Sequence, residues 1–139
     1  MSDVAKLAER LFADKVFVKR SSTVYAKSGF RCTYCMTCIL KSRDSWKGAA
    51  EDHILPQSLY PKLVDEISNL ALACKACNDL KADWDPSPPH QREMFSNADY
   101  LDDKQRKKLI ESVKEHLAEK WTKTDEEIRR VETILGDCS

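Results

Sequence analysis

The chain has 139 residues, 42% of them hydrophobic and 33% charged, and its 23 basic groups balance 23 acidic ones. That is one domain's worth of material, with a small core that cross-links would reinforce, and it is too apolar for general disorder. No uncharged stretch exceeds the one from Cys32 to Leu40, far short of the roughly 20 apolar residues that span a bilayer.

Val4, Leu7, Leu11 and Phe12 recur at helical spacing, so residues 3–13 read as a short amphipathic helix. Asp3, Lys6, Glu9 and Arg10 interrupt any leader-like apolar core there, and a cytoplasmic protein is expected. Ser21 or Ser22 caps a second helix that Gly29 stops after Ser28. Gly29-Phe30-Arg31 leads as a short strand into the first cysteines. Lys47 to Pro56 reads as a strand ended by its proline, Leu70 to Cys74 as a second strand, and Asn78 to Asp83 as a helix. Three prolines between Asp85 and Pro89 break the chain as a linker or a crossing. Leu101, Leu109, Ile110, Val113, Leu117 and Trp121 then mark a helix of about five turns. Thr124-x-x-Glu127 is a capping-box signal for a separate last helix with Ile128, Val131, Ile134 and Leu135. These C-terminal helices are expected to cover the core, a partner surface being the rival reading.

Charge is unevenly spread. Residues 15–50 carry a net +7 and residues 51–103 a net −7, enough to offer a basic face to phosphates and acids to a cation. Ordinary solvated charges that pair in the fold explain the same division.

Six cysteines stand at 32, 35, 38, 74, 77 and 138. In a chain without a leader, metal explains them better than disulfides. Cys32-Thr-Tyr-Cys35 and Cys74-Lys-Ala-Cys77 are knuckles that each present half of a tetrahedral zinc shell, and four thiolates without an open position make the site structural. A thioredoxin-type motif would explain one knuckle but not two. Cys35-Met-Thr-Cys38 is also a valid knuckle. Cys32 and Cys35 are preferred because of the strand before them, leaving Cys38 as a free or buried thiol, and Cys138 is expected to be frayed.

Between the knuckles stands Glu51-Asp52-His53-Ile54-Leu55-Pro56, and before the second stands Asn69-Leu-Ala-Leu-Ala-Cys74, with Asn78 and Lys81 after it. Phosphodiester hydrolysis needs a nucleophilic water, a base, and a cation for the phosphate and the departing oxygen. Asp52 and the Asn78 amide carbonyl are hard oxygen donors suited to magnesium. His53 is the candidate general base, because imidazole ordinarily titrates near cellular pH, at about 6.5. Neighbours on a strand face opposite ways, but at a strand's end both can reach one cleft.

Over residues 25–83 the pattern resembles the HNH nuclease family, with Asn78 where many members have histidine. The resemblance implies an α+β, mostly helical protein. Its core (25–84) would be a ββα-metal, or His-Me finger, nuclease core with two zinc knuckles, flanked by an N-terminal helical segment (1–24) and a C-terminal helical extension (85–139). It implies catalytic roles for Asp52, His53, Asn69 and Asn78, a structural zinc on Cys32, Cys35, Cys74 and Cys77, and a catalytic magnesium or manganese ion on Asp52 and Asn78. Asn69 would brace the loop that aims His53, and Lys81 would contact phosphate. Implied too are DNA as substrate, with RNA ranked below it, products ending in 5′-phosphate and 3′-hydroxyl, and a homodimer or a partner such as an ATPase on the C-terminal helices. The family's loop glycines are missing from Gln57 to Ser68, where a helical turn is expected instead.

Blander readings exist for each residue: a surface turn for Asp52-His53, a helix cap for Asn78, a turn for Asn69. His90 and His116 are expected to be structural or solvated, and Trp46, Trp84 and Trp121 to pack. The rival from another class is a non-catalytic zinc-ribbon module that binds nucleic acid or protein through residues 15–50.

Overall fold

The computed structural model describes residues 2–136, and Cys138 lies outside them. Helix α1 (Asp3–Ala13) starts where the Ser2 hydroxyl accepts from the Ala5 amide at 3.1 Å, and it packs on α2 (Lys19–Ser28). Gly29 ends α2 in the left-handed region, at φ 64°. The expected serine cap is not there. The helix begins at Lys19, Ser22 Oγ bonds the Val18 carbonyl inside it at 3.0 Å, and Ser21 Oγ donates to Glu51 at 2.7 Å. A serine one turn into a helix can satisfy itself on the previous turn, which removes the need to cap.

The expected strand before the first knuckle is reduced to one bridge, between Arg31 and Cys38. Ser42 then caps α3 (Arg43–Gly48), an element that the sequence did not signal and that shortens the following strand to β1 (Ala50–His53). β1 pairs antiparallel with β2 (Leu70–Ala73), Asp52 opposite Ala71 and His53 opposite Leu70. The loop between them holds two short 3-10 turns, Pro61–Leu63 and Ile67–Asn69.

Helix α4 (Lys75–Lys81) starts inside the second knuckle, three residues earlier than expected, because the Cys74 sulfur caps it by accepting from the Cys77 amide. The β1–β2 hairpin and α4 make the ββα unit of an α+β fold that is otherwise helical.

Alternation along β2 divides the interior. Ala71 and Ala73 join Ile54, Leu55, Leu63 and the α6 side chains Leu109, Val113 and Leu117, whereas Leu70 and Leu72 pack with Val24 of α2 and Ile39. The proline break is a packed crossing: Pro86 and Ser87 are buried, and Asp85 accepts from the Tyr60 hydroxyl at 2.7 Å. Helix α5 (Arg92–Ser96) follows and buries Phe95.

The two expected C-terminal helices are one. Helix α6 (Asp103–Leu135) opens with a capping box between Asp102 and Gln105 and runs 33 residues, about 50 Å. Thr124 is interior to it and bonds the Lys120 carbonyl at 3.2 Å, so the capping signal is overridden by a helix already under way. Arg106 fastens α6 to the sheet by donating to the Ser68 and Leu70 carbonyls at 3.1 and 3.0 Å. Beyond Trp121 the helix leaves the core, and Ile128, Val131, Ile134 and Leu135 are exposed. Among the described residues no helix is long and apolar enough to cross a membrane.

Trp46 packs with Phe17 and Tyr25, Trp121 lies against the core, and Trp84 stacks on His116 with ring centroids 3.9 Å apart.

Candidate active site

The knuckles converge. The sulfurs of Cys32, Cys35, Cys74 and Cys77 all lie within 4.8 Å of one another, and Cys35 and Cys74 are 3.7 Å apart. Zinc–thiolate bonds of about 2.3 Å in a tetrahedron put neighbouring sulfurs about 3.8 Å apart, so the donor set fits zinc. A contact from Cys77 pulls the Cys32 thiol down to about 4, and the same contact, with burial, pushes Cys77 up. Four thiols this close can all ionise only around a cation. Cys38 stands outside the cluster, as expected.

Behind the knuckles, Asp52 is buried and its Oδ2 has two donors: the Tyr34 hydroxyl at 2.6 Å and the Lys81 ammonium at 3.2 Å. Burial pushes the Asp52 carboxyl above its ordinary value, while the Lys81 charge and the Tyr34 hydrogen bond act against that shift. Burial and the Asp52 charge raise Tyr34 well above the usual phenol range, which keeps it a hydrogen-bond donor.

Lys81 does not stand where a phosphate contact requires. Its side chain is fully buried, and its ammonium also donates to the His53 carbonyl at 2.8 Å. The side chain turns inward because Asp52 is a buried charge in need of a partner.

His53 ends β1 half-buried, with Nε2 2.8 Å from the Val64 carbonyl. A carbonyl only accepts, so Nε2 carries the proton, and in the neutral ring Nδ1 is the nitrogen left with a lone pair. Asn69 is wholly buried. Its Oδ1 accepts from the Leu55 amide at 2.8 Å, and its Nδ2 donates to the carbonyls of Leu55 and Leu63 at 3.0 and 3.3 Å. The amide thus clasps both ends of the loop carrying Val64. Asn78 lies within α4, whose cap is Cys74, so it is not a capping residue; its backbone amide donates to the Cys74 carbonyl at 3.0 Å, and its side-chain amide has no hydrogen-bond partner among the described residues.

Asp52, His53 and Asn78 line one cleft of about 220 Å³, together with Glu51, Pro56, Gln57, Ala82 and Asp83. Three carboxylates edge it and no lysine or arginine does. Such a donor set could hold a hard divalent cation through Asp52 and the Asn78 carbonyl. A larger hollow of about 600 Å³ between α5 and the start of α6, lined by Pro86, Met94, Phe95 and Leu109 among others, brings none of the candidate residues together.

The family model for HNH endonuclease matches residues 32–83, the interval from the first zinc knuckle to the end of the cleft. This segment is similar to HNH endonuclease domains. No curated protein and no solved structure matches the chain. Within residues 32–83 the sequence pattern singled out the knuckles, Asp52, His53, Asn69 and Asn78 as candidates. It did not show Tyr34, whose only signal is its place inside a knuckle, or Val64, which contributes a backbone atom that any residue would supply.

Proposed function

We propose that the protein is a divalent-metal-dependent HNH endonuclease that hydrolyses phosphodiester bonds in DNA, leaving 5′-phosphate and 3′-hydroxyl ends. The observation that carries this reading is the hydrogen bond from His53 Nε2 to the Val64 carbonyl, which commits Nδ1 to accepting a proton. His53 lies on the same cleft as the oxygen donors Asp52 and Asn78.

His53 Nδ1 takes the proton of the attacking water. Asn69 keeps the imidazole aimed by clasping the loop that bears Val64. Asp52 and Asn78 would hold the magnesium or manganese ion. When bound, that ion supplies positive charge to the phosphate and the departing oxygen. Lys81 and Tyr34 hold Asp52 in place from behind.

With zero net charge, affinity for duplex DNA should be modest and rest on few phosphate contacts. A protein contact, with a second copy or with an ATPase, would fall on the exposed apolar edge of distal α6, at Ile128, Val131, Ile134 and Leu135. The test is a plasmid assay with purified protein, magnesium and manganese compared, beside His53→Ala. Nicked or linear plasmid from the parent protein alone supports the reading. Equal cleavage by both proteins, or none by the parent, rejects it.

A further inference from the structure

Tyr34 lies between two zinc-shell cysteines, yet its hydroxyl is spent on the other centre. It donates at 2.6 Å to Asp52 Oδ2, 18 residues away in sequence and on a different element. Tyr34 and Asp52 each retain only 7% exposure, and the Lys81 ammonium meets the same oxygen from α4. Two donors on one carboxylate oxygen fix the rotation of the group, so the edge of Asp52 that meets the cleft does not wander.

The segment carrying Tyr34 has little freedom of its own. The Thr33 amide donates to the Leu72 carbonyl at 2.8 Å, locking the knuckle to β2, and the Met36 amide closes the turn on the Cys32 carbonyl at 2.9 Å. Cys32 and Cys35, on either side, belong to the four-sulfur cluster. A single phenol therefore joins the structural shell to the cleft.

We propose that Tyr34 is a positioning residue for the divalent ion of the cleft, through which zinc occupancy of the cysteine shell sets the aim of Asp52. This inference rests on the nuclease reading above and extends it to a residue outside the cleft. Loss of a hydrogen bond behind a metal ligand typically lowers metal affinity or turnover by about 10- to 100-fold.

The experiment compares zinc-loaded parent protein with Tyr34→Phe, which keeps the ring and loses only the hydroxyl. Manganese binding is read by electron paramagnetic resonance, zinc content by elemental analysis, and cleavage as kcat and KM. The expected result is manganese affinity and kcat both lower by about 10-fold or more, with KM for DNA and zinc content unchanged. In an Asp52→Asn background, Tyr34→Phe should cause no further loss of manganese affinity, because the phenol acts through that carboxylate. Should Tyr34→Phe lose zinc, 3-fluorotyrosine at position 34 serves instead: its stronger donor should shift manganese affinity in the parent protein and not in Asp52→Asn. Parent-like manganese binding by Tyr34→Phe, or an equal loss with and without Asp52, overturns the inference while leaving the nuclease reading intact. A parent protein that neither binds manganese nor cleaves overturns both.

Discussion

Asn69 and His53 never touch, yet one short loop joins them: Asn69 Nδ2 holds the Leu63 carbonyl at 3.3 Å, and the next carbonyl, that of Val64, receives His53 Nε2 at 2.8 Å. Asn69→Ala would leave the Leu55 amide and the Leu55 carbonyl without their partner in the interior, while the Leu63 carbonyl keeps the Glu66 amide at 3.2 Å. A stability loss of about 3 kcal/mol is expected in denaturant melts, from buried polar groups left unsatisfied. Asn69→Asp keeps the acceptor for the Leu55 amide but sets a second oxygen against the Leu55 and Leu63 carbonyls in the interior, so it should cost at least as much stability as Asn69→Ala.

His53→Ala should behave differently. The ring is half-buried and makes one hydrogen bond, so the stability loss should stay near about 1 kcal/mol with zinc retained. Cleavage should drop by about 100- to 10,000-fold, the usual contribution of a general base. Plasmid nicking and a melting curve on the same preparation check both halves.

Lys81 is a structural cation. Lys81→Met would strand the buried Asp52 charge, and a loss of about 3–5 kcal/mol is expected. Adding Asp52→Asn should recover part of that loss, although the double variant will not cleave. If Lys81→Met instead folds with full stability and weakens DNA binding alone, the inward placement of this side chain is wrong.

Zinc removal and its cysteine variants should separate the two groups of thiols. Cys74→Ser takes away both a sulfur of the cluster and the cap of α4, so metal loss and unfolding should come together. Cys38→Ser should retain one zinc per chain, measured by elemental analysis.

His116 gives a pH signature unconnected with the cleft. Desolvation, followed by the charge of Lys120, pushes its pKa below the ordinary imidazole value; Glu119 opposes this and Lys81 adds to it. A depressed folded-state value means that its contribution to stability is present above about pH 6.5 and is lost as pH falls through the folded pKa. Thermal melts from about pH 7 down to about pH 5 should show a fall that is smaller in His116→Gln.

The candidate site was legible in the sequence where it is local. Two knuckles of fixed spacing, and an acid beside an imidazole at a strand end, carry their meaning within a few residues, and the cluster and the cleft assemble from them. What escaped depends on distant partners. Nothing near Lys81 in sequence says that its ammonium will be drawn under β1 by a buried carboxylate, and nothing in Val64 marks its carbonyl as the rest for an imidazole. Helix limits slipped for a similar reason. Thr124 has the composition of a cap, but only the continuity of α6 decides whether a cap is wanted, and Ser22 turns to the previous turn of its own helix.

The acidic rim of the cleft has its own consequence. Glu51, Asp52 and Asp83 edge it, and the cations that meet two of them, Arg20 on Glu51 at 3.7 Å and Lys81 on Asp52 at 3.2 Å, are not part of its lining. Under the proposed nuclease reading, an acidic lining of this kind favours loading of the small cation before the strand. Scarcity of free divalent ion would then act as a safety catch, leaving the folded protein idle beside nucleic acid.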